Sequence, residues 1–370
     1  MKRNDSTLTA FLLIISGSLK AGESKTFTLK LWIKEDATNE ALGKHYHGKI
    51  VVDANQEGMP TATEKLIAKA NAESLDYNSA TEAQKKEMWT FTHEATEQTT
   101  ALTDYRYIGA DPNNYVKFND ELWRIIGVFD TDDGTGKVEK RLKIMRNESI
   151  GSYSWDYNSA GNYINEWSTA QLNNLLNSGA YYNRTTGTYY NNSTTASNVD
   201  FTNKGLTEKA KAMIGNAKWY LGGTADYTNS SNGLASHFYK YERGTTVYSG
   251  RSTSWTGKVG LMYPSDYGYA TSGGTTTNRA SCLSEEMYNW DDSSVSDCKN
   301  NDWMYNSNIW QWTISPRADS SNDVFGVDDA GFVGIDYANN CYAARPVVHL
   351  KSTIKVISGS GTKESPYILE

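Results

Sequence analysis

Short apolar runs separated by long polar segments recur along the chain, and this pattern predicts many strands and few helices. Near the amino end, Phe27, Leu29, Leu31 and Ile33 alternate with polar or amphipathic residues, as on a half-buried strand. A second strand is predicted at 49–54. The apolar run at 10–15 is too short for the core of a signal peptide and is read as a buried strand. Residues 1–57 are therefore expected to form a β segment that pairs with further strands, since so few strands are marginal alone.

The pattern changes to helical spacing after Pro60. Leu66, Ile67 and Ala70 are spaced for one face of a helix that is predicted over 61–75. Residues 85–103 are polar and rich in threonine. We therefore expect residues 58–103 to be a helical and Thr-rich linker, with a domain boundary near Asp104.

The segment 104–356 is predicted to form the main domain, and it opens with a hairpin. Strands are expected at 115–118 and 122–129, joined by a turn at Asn119-Asp120, and a neighbouring strand is expected at 142–145. Two helices should follow. The first is placed at 168–176, with Ser168 as its N-cap and Gln171 at the capping-box position, and the second at 207–214.

Strands return in the last third of the chain, after long loops rich in Tyr, Asn, Ser, Thr and Gly. They are predicted at 259–263, 324–327, 332–335 and 346–350, with a hairpin turn over 328–331. Loops this long in a compact domain usually carry function. The expected class is α+β: a small mixed sheet with two helices and long loops, preceded by amino-terminal strands and a helical linker. Residues 357–370 are expected to be a carboxy-terminal tail strand.

Composition narrows the classes of protein that fit. The chain has 370 residues, a net charge of −7, 25 Tyr and 11 Trp, and 12% aromatic residues. This aromatic content argues against disorder, and the lack of a basic footprint argues against a nucleic-acid partner. No run approaches the roughly 20 apolar residues of a transmembrane helix. Membrane attachment is expected only through an anchor outside this chain.

The cysteines suggest a disulfide. Cys282 and Cys298 bracket a 15-residue loop, and a bridge between them would indicate an oxidising compartment. Two free buried thiols are the alternative. Cys341 is left without an obvious partner.

The best candidates for ligand contacts are aromatic and amide side chains in two loop segments near the carboxyl end. Aromatic faces beside amide and hydroxyl groups suit a sugar or a protein epitope, whereas core filling is the alternative for the tryptophans. The candidates are Trp303, Tyr305, Asn306, Asn308 and Trp310 in the first segment, and Asp336, Tyr337, Asn339, Asn340 and Tyr342 in the second.

Three carboxylates precede a glycine turn and form a weaker candidate site. Asp130, Asp132 and Asp133 could supply oxygen ligands to Ca²⁺, although no glutamate closes the loop as it does in an EF-hand. A solvated hairpin turn is the alternative. No other cofactor is predicted.

Several motifs between residues 104 and 369 resemble domains of Gram-positive bacterial surface proteins. They are YIGADPNNYVKFNDELWRIIGVF, RLKIMRNESIGSYSWD, WSTAQLNNLLN, VGLMYPSDYGYA, WQWTISP, ARPVVHLKSTIKV and the tail GSGTKESPYIL. The resemblance implies a fold of the group that contains C-type lectins and the formylglycine-generating enzyme. Residues 1–57 resemble the end of a TasA/camelysin-type β-sandwich. The mixture of Asn, Asp, Ser and Tyr also resembles that of variable lectin domains diversified by retroelements.

These observations favour a non-catalytic, extracellular binding or adhesion protein on a bacterial surface. Its partner would be a protein or a glycan on another cell, a phage or a host. One alternative is an oxidoreductase like the formylglycine-generating enzyme, but that resemblance implies two nearby copper-binding cysteines, and this spacing does not match. A structural subunit of a surface fibre is the other alternative.

Overall fold

The computed structural model describes residues 59–370, of which 60–370 form one compact unit. The strands predicted between residues 8 and 57 lie outside the described residues. None of the described helices combines the length and apolar character needed to cross a lipid bilayer.

The α-helices of the described region are short. They are α1 Ala62–Ile67, α2 Glu82–Lys85, α3 Gln171–Asn177, α4 Ala180–Asn183, α5 Glu208–Met213, α6 Ala235–Glu242, α7 Pro264–Ala270, α8 Arg279–Leu283 and α9 Asp297–Asn300.

Strands are more numerous than helices, as expected. They are β1 Trp89–His93, β2 Leu102–Arg106, β3 Tyr115–Phe118, β4 Glu121–Asp132, β5 Val138–Arg146, β6 Ser152–Ser154, β7 Thr186–Tyr189, β8 Ser197–Asp200, β9 Ala217–Tyr220, β10 Ser254–Gly257, β11 Val259–Gly260, β12 Gln311–Pro316, β13 Asp323–Val327, β14 Val333–Tyr337, β15 Cys341–Ala343, β16 Val347–His349, β17 Val356–Ser358 and β18 Tyr367–Leu369.

A nine-stranded mixed sheet forms the centre of the fold, in the order β11-β16-β5-β4-β3-β18-β17, with β2 also on β4 and β1 on β2. The predicted hairpin is present: Asn119 and Asp120 both have positive φ, as a two-residue hairpin turn requires, and they join β3 to β4. A second sheet has five strands in the order β14-β13-β12-β15-β6, and β7-β8 and β9-β10 form two-stranded ribbons. Mixed sheets with few helices confirm the α+β class.

The segment predicted as a linker instead belongs to the compact unit. β1 pairs with β2, and β2 pairs with residues 127 and 128 of β4. Asp104 and Arg106 of β2 are buried, and their side chains are joined by a 2.8 Å contact between Arg106 Nη2 and Asp104 Oδ2. Polar composition suggested a solvated segment, but in this structure the polar side chains pair with one another inside the protein. The boundary placed near Asp104 therefore falls within a strand.

The expected tail strand is also part of the same sheet. Two strands form after residue 355, β17 and β18, and β18 lies between β17 and β3. The sequence analysis separated residues 357–370 from the main domain, but backbone pairing joins them to its central sheet.

The helix signals were read with mixed accuracy. The helix predicted at 207–214 is present as α5, and Thr207 caps it, since its side chain accepts a hydrogen bond from the backbone of Ala210. Ser168 does not cap α3. Its hydroxyl donates to Glu166 Oε1 at 2.5 Å, so it serves a local turn, and Ala170 occupies the N-cap position.

The predicted disulfide between Cys282 and Cys298 is present and buried, with 5.4 Å between the Cα atoms. It links the region of α8 to that of α9. Cys341 is a free, half-buried thiol whose sulfur lies 3.7 Å from the Ser154 hydroxyl oxygen.

A buried ionic network centred on Asp266 joins α7 to the large sheet. Its carboxylate accepts hydrogen bonds from Arg106 Nη1 of β2, at 3.1 Å, and from the Lys143 ammonium of β5. The backbone N–H of Tyr263 donates to the same carboxylate at 2.9 Å. Burial alone would raise the pKa of Asp266, but Lys143 and Arg106 outweigh burial and hold this pKa below its ordinary value.

Replacing Asp266 with asparagine should destabilise the protein strongly. The variant would leave Arg106 and Lys143 buried with one fewer negative partner, and breaking a buried pair in this way costs about 3–5 kcal/mol. Urea unfolding of Asp266→Asn and of wild type would measure the loss. Asp319→Asn is the control, since Asp319 is an exposed partner of Arg317 and its loss should have little effect. Equal unfolding midpoints for Asp266→Asn and wild type would contradict the central role of this network.

Candidate functional site

One face of the five-stranded sheet carries aromatic side chains that the register brings together. Trp312 of β12 pairs with Gly326 of β13, and Gly326 pairs with Gly334 of β14. Paired residues point to the same side of a sheet, as do residues two apart in one strand. Trp310 and Asp336 therefore lie on the same side of the sheet as Trp312.

Gly326 provides space for an indole ring. A Cβ atom added to Gly326 would lie 2.0 Å from Trp310 Cζ3, so a side chain at this position would collide with the ring. Trp310 in turn contacts Tyr342 of β15, with ring centroids 4.2 Å apart. The Trp312 ring packs edge-to-face against both, with centroids 5.4 Å from Trp310 and 4.9 Å from Tyr342. Trp312 is buried, whereas Trp310 and Tyr342 are half-buried.

Asp336 holds the tyrosine end of this cluster. The Tyr342 hydroxyl donates to one carboxylate oxygen of Asp336, and Asn340 Nδ2 donates to the other at 2.6 Å. Burial, followed by the proximity of Asp336, raises the pKa of the Tyr342 hydroxyl, which stays protonated as a donor. Residues from the end of β14, the next turn and β15 are thus fixed relative to one another.

The loop before β12 reaches the same region through Tyr305. Its hydroxyl donates to the backbone carbonyl of Asp329, at 2.8 Å, in the turn between β13 and β14. Asn306 and Asn308 form a local turn in which Asn306 Oδ1 accepts from the Asn308 N–H at 3.0 Å, and Asn308 is exposed. We call the half-buried rings of Tyr305, Trp310 and Tyr342 the aromatic face.

Helix α7 supports the turn beneath this face. The hydroxyl of Tyr267, which follows Asp266, donates to the carbonyl of Gly331 at 2.7 Å. Gly331 has a φ of +97°, which glycine adopts without strain. The ionic network in the core therefore connects through one helix to the turn that carries Asp328 and Asp329.

Some predicted contact residues lie elsewhere. Trp303 is a core residue: its indole N–H donates to the Tyr107 carbonyl at 3.0 Å, and the Arg124 guanidinium lies 4.8 Å from its ring centroid. Asn339 is half-buried, and its Nδ2 donates to Asn192 Oδ1 at 2.9 Å. The structure thus groups Tyr305, Trp310, Asp336, Asn340 and Tyr342 but assigns Trp303 to packing.

Tyr337 belongs to a second aromatic group that the sequence analysis missed. It is 53% exposed, and its ring centroid is 6.3 Å from that of Tyr163, which in turn lies 6.1 Å from Tyr157. The segment around Tyr157 is far from Tyr337 in sequence and has no apolar periodicity. Only the density of tyrosine and asparagine could have drawn attention to it.

The three aspartates proposed for Ca²⁺ each have their own partner. Asp130 pairs with Lys140 at 2.9 Å, whereas Asp132 accepts from the backbone of Gly134 and Asp133 from that of Thr135, both at 2.8 Å. These bonds are those of a tight turn between β4 and β5. Across residues 59–370 no group of three or more His, Cys, Asp or Glu side chains is arranged to hold a metal ion.

Comparisons of the chain with protein-family models, with curated proteins and with solved structures give no match.

Asp302 is an ionisable group buried at the start of the loop that carries Tyr305. One carboxylate oxygen accepts from the Met304 N–H at 2.7 Å, and the other has no hydrogen-bond partner among the described residues. Burial raises the pKa of Asp302 well above its ordinary value, so folding favours the neutral acid.

We expect Asp302→Asn to become more stable relative to wild type as the pH rises. Unfolded Asp302 loses its proton near pH 4, whereas folded Asp302 retains it, so wild-type stability falls with rising pH until the folded pKa is passed. The slope for one such group approaches about 1.4 kcal/mol per pH unit, and asparagine does not titrate. Urea unfolding of both proteins between pH 4 and pH 8 would reveal the difference.

The exposed residue Asp291 offers a matched control from the same part of the chain. Asp291→Asn should show no comparable growth in its difference from wild type. A constant difference between Asp302→Asn and wild type across this pH range would show that folded Asp302 titrates normally.

Proposed function

We propose that this protein is an extracellular binding or adhesion module that acts without a covalent mechanism. The observation that carries the proposal is the aromatic face: Trp310 and Tyr342 are half-buried with ring centroids 4.2 Å apart, and the Trp310 ring lies against Gly326. Rigid aromatic rings beside carboxylate and amide groups suit recognition at a protein surface, because little conformational freedom is lost on binding.

The distribution of burial supports a recognition role for these rings over a packing role alone. Trp303 and Trp312 are buried and fill the interior. Tyr305, Trp310 and Tyr342 keep part of their surface open, and Tyr337 is more than half exposed. Their polar neighbours are held by hydrogen bonds within the protein, so the surface is ordered before a partner arrives.

The proposal includes a fold of the C-type-lectin group and a place on a bacterial cell surface. Its support is the resemblance of the sequence motifs, together with long loops around a small sheet. The Cys282–Cys298 disulfide also supports export, because such bonds persist mainly in oxidising compartments. The partner would be a protein or a glycan on another cell, a phage or a host surface.

Substitutions of exposed rings should weaken ligand binding without unfolding the protein. A screen of glycans and of surface proteins would first provide a ligand. We then expect Tyr305→Ala and Tyr337→Ala each to weaken binding about tenfold or more, which corresponds to about 1.4 kcal/mol. Calorimetric titration would measure affinity, and thermal unfolding would check the fold.

Two further variants sharpen this test. Tyr305→Phe keeps the ring but removes the hydrogen bond to Asp329, and so separates ring contact from loop position. Tyr248→Ala removes a half-exposed tyrosine from the loop before β10 and should leave binding unchanged. Ligand binding that survives both Tyr305→Ala and Tyr337→Ala, or that is lost equally in Tyr248→Ala, would contradict the proposed site. If the substitutions abolished self-assembly of the protein and not the binding of a ligand, the result would favour a fibre subunit.

A further inference from the structure

Three carboxylates border the aromatic face. Asp336 accepts the hydroxyl of Tyr342, and Tyr305 donates to the backbone of Asp329. Asp328 follows Gly326 by two residues and so lies on the side of the sheet that carries Trp310. Each ring of the face therefore has an acidic residue beside it.

No cation of the described region neutralises these carboxylates. Residues 59–370 contain no ion pair that involves Asp328, Asp329 or Asp336. The Lys299 ammonium reaches the same turn, but it donates to the backbone carbonyls of Ala330, at 2.5 Å, and Asp291, at 3.3 Å. Burial, and then the proximity of Asp329, raises the pKa of Asp328, as expected for neighbouring carboxylates with no counter-charge.

We propose that the aromatic face binds a basic side chain, arginine or lysine, presented by a protein partner. A cation held over an aromatic ring interacts with the negative face of that ring, and the bordering carboxylates add direct charge attraction. An anionic ligand would be repelled at the same place. This inference rests on the proposed function, because it names the chemical class of ligand for that surface.

The interior of the protein uses the same chemistry. The Arg124 guanidinium lies 3.9 Å from the ring centroid of Tyr115 and 4.8 Å from that of Trp303. Arg106 combines an aromatic ring with carboxylates: it lies 4.6 Å from the centroid of Phe129 and pairs with Asp104 and Asp266. At the aromatic face, rings and carboxylates also lie close together, but no cation of the described residues pairs with those carboxylates.

Peptides that differ in one type of side chain would test the proposal. Fluorescence polarisation would compare labelled peptides of equal length in which the same two positions carry arginine, lysine, glutamine or glutamate. We expect the arginine and lysine peptides to bind at least tenfold more tightly than the glutamine peptide, and the glutamate peptide not to bind. Added salt should weaken the basic peptides, because the surface charges are screened.

Replacing the bordering aspartates with asparagine tests whether the preference for basic peptides arises at this face. Asp328→Asn and Asp336→Asn should each weaken binding of the arginine peptide about fivefold or more. Asparagine at position 336 still offers an acceptor to the Tyr342 hydroxyl. Asp133→Asn, in the β4–β5 turn, removes the same charge from a half-buried position away from this face and should change affinity less than twofold. Equal losses from all three variants would show that overall net charge, not this face, attracts the peptide.

The outcomes separate this inference from the proposed function. Equal binding of arginine and glutamine peptides, or no binding of either basic peptide, would overturn the preference for a cation. One such outcome is that a neutral glycan then binds in a way that requires Tyr305 and Tyr337 but not Asp328 and Asp336. In that case the proposed binding site stands, and only the preference for a cation is wrong. If the basic peptides bind but Tyr305→Ala and Tyr342→Phe have no effect, the aromatic face is not their site.

Discussion

The buried carboxylate of Asp266 is the constraint on which the arrangement of the two larger sheets depends. It lies in the first turn of α7 and accepts hydrogen bonds from side chains of β2 and β5, so the helix cannot shift without separating buried charges. The segment before the helix also bonds to the second sheet, where the Ile314 N–H donates to the Met262 carbonyl at 3.0 Å. The next residue, Tyr267, supports the β13–β14 turn. The buried ionic network therefore helps to fix the position of the aromatic face.

Local signals in the sequence predicted the local structure well. The Asn119-Asp120 turn and the helix predicted at 207–214 each depend on a few neighbouring residues, and both are present. The disulfide could be predicted for the same reason, since only one short loop separates the two cysteines. The prediction that Ser168 is an N-cap was wrong because its hydroxyl donates to Glu166, two residues earlier. The segment before Asp104 was predicted to be a linker because Asp266, the ionic partner of Arg106 in β2, lies far along the chain.

The candidate site was predictable in its residue types but not in its geometry. Its two segments were recognised from aromatic and amide content alone. Their meeting depends on strand register, which pairs Trp312 with Gly326 and leaves room for Trp310 over that glycine. A shift of one residue in that register would direct Trp310 to the opposite side of the sheet. Trp303 looked equivalent to Trp310 in sequence, yet Tyr107 and Arg124 enclose it.

The parallel insertion of β18 beside β3 has a consequence for biosynthesis. Tyr367 pairs with Val116, so the edge of β3 has its partner only after residue 367 has left the ribosome. Until then the nascent chain carries an unpaired strand edge, the kind of surface that promotes aggregation. Contacts between such distant parts of a chain also slow folding. The synthesis of residues 367 and 368 thus determines when this sheet can be completed.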